Sequence, residues 1–485
     1  MKPAKNYPIP ASPLYFLCAF AACALPAMLP AGTIAPPKFS SVTQIQTASG
    51  QTGIAVGDLD GDGKPDIVAA NYFDNSISVF RNTATSNAIT PNSFSAPIPI
   101  AVGNTPVTVR LADIDGDGKR EIIVVNQASS TVSVLHNTST PGELSATSFD
   151  SPVHFATPTD PRFAAVADLD GDGHQDLIVA TFGSSQISIF RNTSITGAID
   201  SFSFADRVDL NHGVRSVSVE AGDLDGDGKL DVVVGNINNS SVSVYRNMSV
   251  PNSLTTDSFA PIVNFSTGGG PTVAIGDLDG DGRPDIATAN QFSGTISVLR
   301  NTTSLGVIDA TSLAAKVDFP SGTYPYAMVL ADFVGGDGKL DIAVANSESH
   351  TISVYRNLSV AGTFTNSSLL PKSDFPAGTG PRFIDAADVD GDGLIDVVNA
   401  NLSSSSFSVH RNIAGARFLI SPFKNGMVFR FRADALPDSA FVVQISTNLI
   451  DWSDVATTTI TNFLGASFVD SNAVLPYAFY RLRNP

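Results

Sequence analysis

Short apolar runs separated by Gly, Asp, Asn and Ser clusters fill the chain from about residue 39 to residue 412, and four kinds of run recur in a fixed order. The first is a brief apolar segment such as Gly53-Ile-Ala-Val-Gly57 or Pro271-Thr-Val-Ala-Ile-Gly276. The second is nearly continuous, as in Asp66-Ile-Val-Ala-Ala-Asn71, Asp231-Val-Val-Val-Gly-Asn236 and Asp341-Ile-Ala-Val-Ala-Asn346. Runs without polar alternation read as strands covered on both faces. The third alternates, as in Ser76-Ile-Ser-Val-Phe-Arg-Asn82 and Ser241-Val-Ser-Val-Tyr-Arg-Asn247, which predicts a strand with one face less buried. The fourth is weaker and carries prolines, as in Phe94-Ser-Ala-Pro-Ile-Pro-Ile100 and Phe259-Ala-Pro-Ile-Val-Asn-Phe265, and suits an outer edge strand.

Between the first and second runs the same acidic loop returns seven times, at a period of about 55 residues, which signals one structural unit repeated as a propeller or solenoid. Four strands per unit and seven units predict an all-β, seven-bladed β-propeller over residues 39–415. A fourth-type run, Phe39-Ser-Ser-Val-Thr-Gln-Ile-Gln46, precedes the first loop, and none clearly follows Asn412. This N-terminal run is expected to complete the seventh blade and fasten the ring. An open solenoid would need no such borrowed strand.

The loop has the form Asp-x-Asp-Gly-Asp-Gly-x-x-Asp. Crowded carboxylates repel one another unless a hard cation sits among them, and calcium takes six to eight oxygens from such Gly-bent loops. The expected ligands are Asp58, Asp60, Asp62, the Lys64 carbonyl and Asp66 in the first loop, and Asp113, Asp115, Asp117, Lys119 and Glu121 in the second. Asp168, Asp170, Asp172, His174 and Asp176 follow in the third, and Asp223, Asp225, Asp227, Lys229 and Asp231 in the fourth. The fifth offers Asp277, Asp279, Asp281, Arg283 and Asp285, and the seventh Asp388, Asp390, Asp392, Leu394 and Asp396. In every set the seventh position would act through its backbone. The sixth loop keeps Asp332, Asp337 and Asp341 but carries an insertion and lacks the middle carboxylate, so it is expected to bind weakly or not at all. That leaves about six calcium ions, if the loops are more than Asp/Gly turns. An EF-hand is excluded, because its bidentate Glu at position twelve is replaced by residues such as Ala69, Val124 and Val179.

These residues resemble the FG-GAP and VCBS repeats, the family that includes the propeller of integrin α subunits. The resemblance rests on the strand, acidic loop, strand pattern and covers roughly residues 39–415. It implies that the loop joins the first two strands of each blade and holds calcium as a structural ion, with the sixth loop the doubtful one. It does not fix a function, since adhesion receptors, lectins and the scaffolds of polysaccharide-acting enzymes share the fold.

Charge adds a negative result. The net charge is −18, with most of the 46 acidic residues in the loops, and the basic residues form no run. Nucleic acid is therefore not an expected partner, and neither is an anionic membrane surface. Residues 1–31 read as an export signal, with Lys2 and Lys5 ahead of an apolar stretch from Leu14 to Leu25 that is too short to span a bilayer. Both cysteines, Cys18 and Cys23, fall inside it, so the mature chain is expected to lack disulfides. A lipoprotein anchor at Cys23 is the lesser alternative, because Phe20 departs from the aliphatic residue of such a box. The expected location is outside the cell or on its surface, the cell being expected to be bacterial, where millimolar calcium would suit the loops.

Residues 418–485 leave the loop pattern and contain Phe441-Val-Val-Gln-Ile-Ser446, Thr457-Thr-Thr-Ile-Thr461 and the single Trp452. They resemble the small β-sandwich that ends many secreted bacterial proteins. No catalytic residue is assigned: there is no His-x-x-x-His pair, Gly-x-Ser-x-Gly elbow or phosphate-cradling loop. The recurring Arg before the terminal Asn (Arg81, Arg191, Arg246, Arg300, Arg356, Arg411) is expected to be structural, for instance by pairing with a neighbouring blade. The leading functional expectation is an extracellular binding or adhesion module with a protein partner. A lectin-like role comes second and a polysaccharide-acting enzyme third.

Overall fold

A computed structural model of the chain describes residues 36–84, 88–334 and 337–413, and beyond them the backbone of six strands between 417 and 483. The expected export segment with Cys18 and Cys23, and Trp452, lie outside the described residues. The first blade is an antiparallel sheet of β2 (Gln51–Gly57), β3 (Asp66–Asn71), β4 (Ser76–Phe80) and β5 (Ile98–Ala101), in that order. Five more four-stranded sheets repeat the arrangement, opening with Pro106–Ala112, Pro161–Ala167, Ser216–Gly222, Pro271–Gly276 and Pro325–Ala331. The seventh joins Pro381–Ala387, Asp396–Asn401 and Ser406–His410 to β1 (Thr43–Gln46), a strand from the other end of the propeller.

The borrowed strand pairs from Thr43 opposite Val409 to Gln46 opposite Ser406, and a further bridge joins Phe39 to Asn412. Ile45 is buried, and Phe39 meets the rings of Phe375 and Phe333 edge-on at 5.0 and 6.3 Å. The regular part of β1 is thus shorter than the predicted run, because only Thr43–Gln46 keeps a continuous ladder. The outer strands are displaced in the same way. Phe94 and Phe259 make single bridges to Asn82 and Asn247, and the strands themselves begin at Ile98 and Val263.

The second strand of every blade is buried along its whole length, as the continuous apolar runs predicted. The third strand departs from expectation, for β4 is buried on both faces. Its alternating serines are not solvent-facing. Ser78 is buried and accepts a hydrogen bond from Asn71 Nδ2 at 3.0 Å, and Ser133, Ser243 and Ser297 accept from Asn126, Asn236 and Asn290 in the same way. Satisfied hydroxyls can be buried where bare ones would cost stability. Alternating exposure belongs to the outermost strand instead.

Apolar side chains pack between blades. Val68, Ile77 and Val79 of the first blade lie with Val109, Ile122 and Val124 of the second in one cluster. Blades approach so closely that a Cβ at Gly53 would sit 2.8 Å from the Val107 carbonyl oxygen, which requires a glycine there. A ring of amides adds direction to this packing. Asn137 Nδ2 donates to the Leu59 carbonyl of the preceding blade at 2.9 Å and to the Arg120 carbonyl of its own at 3.0 Å. Asn192, Asn247, Asn301 and Asn357 repeat the link, to Ile114, Leu169, Leu224 and Leu278. Asn412 reaches Phe333, and Asn82 closes the circle onto Val389. Each bond contributes about 1 kcal/mol, and the link is doubled in most blades, since the Leu59, Ile114, Leu169, Leu224 and Leu278 carbonyls also accept from the hydroxyls of Ser139, Ser194, Ser249, Thr303 and Ser359.

Beyond the propeller, Arg417–Ile420, Val428–Arg432 and Ala466–Val469 form one antiparallel three-stranded sheet. Ser453–Thr459, Ala440–Ser446 and Phe479–Arg483 form another. Among the described residues no helix is long and apolar enough to cross a membrane.

Candidate metal loops and the channel mouth

Each acidic loop connects the first and second strands of its blade, where the resemblance placed it. Its backbone is folded around its own carboxylates. Asp58 accepts from Gly61 N and Gly63 N, both at 2.8 Å, and Asp62 accepts from Lys64 N at 2.9 Å. Gly61 and Gly63 both have positive φ, which explains why the two glycines recur. Asp66 is fully buried and is held by Leu59 N at 3.0 Å and by Asn82 N, at the end of the third strand, at 2.8 Å. The pattern repeats in the other loops, with Lys119, His174, Lys229, Arg283 and Leu394 each donating a backbone N–H to the fifth-position carboxylate. In the sixth loop Asp332, Asp337 and Asp341 keep the outline, accepting from Gly338, Lys339 and Val334.

The electrostatics of this arrangement are unfavourable without a cation. Burial, helped by the neighbouring carboxylates, pushes Asp66, Glu121, Asp176, Asp231, Asp285 and Asp341 up to about 7, and raises Asp396 well above its ordinary range. Ligand oxygens of Asp58, Asp60 and Asp62, and of the matching residues in further loops, lie within 4.8 Å of one another. Asp170 Oδ2, Asp279 Oδ2, Asp332 Oδ1 and Asp390 Oδ1 are buried and receive no hydrogen bond. A buried carboxylate oxygen without a donor is costly, and a hard cation is the partner that an all-oxygen set suits. The residues of the loops with a full carboxylate set therefore fit calcium, while the sixth loop lacks the middle carboxylate and leaves only Asp332 Oδ1 without a donor, Oδ2 accepting from Gly338 N.

The recurring arginines serve these same loops rather than a neighbouring blade. Arg81 Nε lies 2.6 Å from Asp60 Oδ2 and a terminal nitrogen lies 2.7 Å from Asp62 Oδ2. Arg246 repeats this on Asp225 and Asp227, and Arg411 on Asp390 and Asp392. Arg191, Arg300 and Arg356 approach their loops more loosely, at 3.8–3.9 Å. It is the following Asn that reaches the next blade. The second blade alone substitutes His136 for this arginine.

The innermost strands enclose a channel, which an aromatic plug divides. Phe163 and Phe383 face each other with ring centroids 5.2 Å apart, and Tyr326 packs 5.7 Å from Phe383. A cavity of ≈ 420 Å3 toward the acidic loops contains compensating charges: Arg110 pairs with Glu220 at 3.3 Å, beside Arg120 and Asp385. Toward the opposite face lies a cavity of ≈ 400 Å3 with a different character. Arg162, Arg382, Tyr324, Tyr326, Phe182 and Gln291 are among its walls. Arg162 and Arg215 both lie over the ring of Phe182, at 4.5 and 4.9 Å from its centroid, and Arg382 lies 4.9 Å from that of Tyr326. Arg162 is held by Asp160 at 2.9 Å, whereas no carboxylate pairs with Arg382 among the described residues, and its buried Nε makes no hydrogen bond. Tyr324 adopts a left-handed conformation, φ 57°, a strained choice for a bulky residue. On the same face Phe73 and Phe292 are 63% and 60% exposed.

None of these mouth residues was singled out in the sequence. The sequence carried little signal for them, because the residue after the strand-opening position varies around the ring as Thr52, Val107, Arg162, Val217, Thr272, Tyr326 and Arg382, and the residue following it varies as much.

A seven-bladed β-propeller with an acidic loop at each first hairpin is thus the class of protein defined by the fold. A family model for the FG-GAP-like repeat matches residues 58–124, 113–179, 168–234, 223–288 and 334–398, more than half of the chain, which therefore belongs to the FG-GAP-like repeat family. No curated protein matches the chain in sequence. Among solved structures, it is similar to BBS1N in complex with ARL6DN, soaked with lead, at 12% identity and a TM-score of 0.51, over 78% of this chain and 98% of that one. It is also similar to a chain of a humanized mutant of the Chaetomium thermophilum Polycomb Repressive Complex 2 bound to the inhibitor GSK126, at 10% identity and a TM-score of 0.52, over 78% and 98%. Likenesses this distant speak to the fold alone.

Proposed function

We propose that the chain is a secreted, calcium-stabilised propeller that binds a protein partner outside the cell, and that it does so at the channel mouth opposite the acidic loops. The observation that carries this reading is Arg382, a guanidinium lying over Tyr326 in the cavity, with a buried Nε that makes no hydrogen bond and no carboxylate paired with it among the described residues. Arginine and aromatic side chains dominate the energetics of protein interfaces, and exposed Phe73 and Phe292 on the same face extend the contact surface beyond the cavity. A partner would place an acidic side chain in the cavity and apolar groups over the two phenylalanines. Calcium ions in the acidic loops, with the sixth loop binding weakly or not at all, would hold the blades without taking part in binding. Residues 418–485 would form a small sandwich from their two sheets.

The test is binding of the mature protein to displayed acidic peptides and to a glycan array, in millimolar calcium, with Arg382→Ala alongside. Saturable peptide binding that weakens about 10–100-fold in Arg382→Ala is expected, the loss typical of a central interface arginine. Binding confined to glycans, and lost in the same variant, would move the site to the lectin-like reading. Binding to either class that ignores the substitution would remove the mouth from the account.

A further inference from the structure

The second blade departs from its six sisters at two positions that meet in space. Its loop closes with Glu121 where the others have Asp, and His136 stands where they have Arg. Glu121 is fully buried and Asp115 nearly so, and one ligand atom each from Asp115, Glu121 and His136 lies within 4.8 Å of the others. His136 Nδ1 lies 2.8 Å from Asp150 Oδ2, and Nε2 lies 3.1 Å from Asp115 Oδ2.

Protonation decides what this contact is. Asp150 can only accept, so Nδ1 carries the hydrogen, and in a neutral imidazole Nε2 then presents a lone pair. That lone pair faces a carboxylate oxygen. Both atoms are buried and neither makes a hydrogen bond, despite their separation. Either a second proton or a cation must lie between them. Two ligands bound at about 2.0–2.1 Å to a tetrahedral ion are about 3.3 Å apart, close to the separation found here. The Asp150 contact is also the arrangement that orients metal-bound histidines, a carboxylate holding the other ring nitrogen.

We propose that the second loop holds a borderline divalent transition metal, zinc being the natural candidate, through His136 Nε2, Asp115 and Glu121, with Asp150 positioning the imidazole. A mixed nitrogen and carboxylate set favours such an ion, whereas the all-oxygen loops of the other blades suit calcium. One blade of the ring would thus carry a metal of different chemistry from the rest.

The test is zinc titration of metal-free protein in millimolar calcium, followed by calorimetry, with cobalt absorption as an independent readout of coordination by nitrogen. His136→Arg restores the residue of six sister blades, so the propeller should stay folded. Wild type is expected to take one tight zinc equivalent that His136→Arg weakens at least 100-fold, and Asp150→Asn should weaken it about 10–100-fold, the range for loss of an outer-shell partner. Zinc binding unchanged in His136→Arg, or no zinc equivalent in wild type, would overturn the proposal and leave His136 as a structural stand-in for arginine.

Discussion

Removing residues 1–49 should unfold the propeller cooperatively at a much lower temperature than the mature protein, rather than merely fray its last blade. The truncation deletes β1, whose four residues complete the ladder on Ser406–His410. It also removes buried Ile45 and the Phe39 ring that rests on Phe333 of the sixth blade and Phe375 in that blade's outer strand. Deleting a buried aliphatic and an aromatic side chain costs about 2–5 kcal/mol each. The exposed third strand of the seventh blade would add an unpaired edge, a template for aggregation. Since a closed ring stands on every blade contacting two neighbours, the loss should spread. Thermal melts of the two forms check this, and equal midpoints would mean that the ring closes without its borrowed strand.

Chelation should have the second large effect. An ion that binds only the folded chain stabilises it by mass action, and at millimolar calcium a site of 10⁻⁴–10⁻³ M affinity contributes about 0.4–1.4 kcal/mol. Summed over the loops, such sites reach several kcal/mol. Removing the ions would leave the loop charges to Arg81 and its counterparts, with His136 in their place in the second blade, and would leave one buried oxygen each of Asp170, Asp279, Asp332 and Asp390 without a hydrogen-bond donor. The melting temperature is therefore expected to fall on chelation and to recover with added calcium. Asp60→Ala combined with Asp62→Ala should remove one ion and spare the others. A melt indifferent to chelator, with no bound metal by elemental analysis, would reduce the loops to turns.

Much of the architecture was legible in the sequence because repetition multiplies weak signals. One Asp-Gly loop predicts a turn, whereas seven at a constant period, each between an apolar run and a continuous one, predict blades. Closure was readable from the arithmetic of the ends, a spare outer strand before the first loop and none after Asn412. Two readings failed for a shared reason. The alternation of Ser76-Ile-Ser-Val and the recurrence of Arg81 are local patterns whose meaning depends on neighbours. Ser78 is buried because Asn71 reaches it, and Arg81 turns to its own loop because Asp60 and Asp62 lie within reach, while Asn82 spans the blades. The channel mouth was the least visible part. Its residues come from different blades, at positions where the repeat ceases to repeat, and only ring closure brings Arg162, Tyr326 and Arg382 to one cavity.

The most direct test of the binding account is side-chain oxidation footprinting of the mature protein, alone and with the partner identified by the binding screen, in calcium. The account predicts protection of Phe73, Phe292 and Tyr324 around the channel mouth, with Ile195, Leu305 and Val360, three of the exposed apolar residues of the long connections between third and fourth strands, labelled as before. Protection confined to Ile195, Leu305 and Val360, with the mouth still fully reactive, would contradict it.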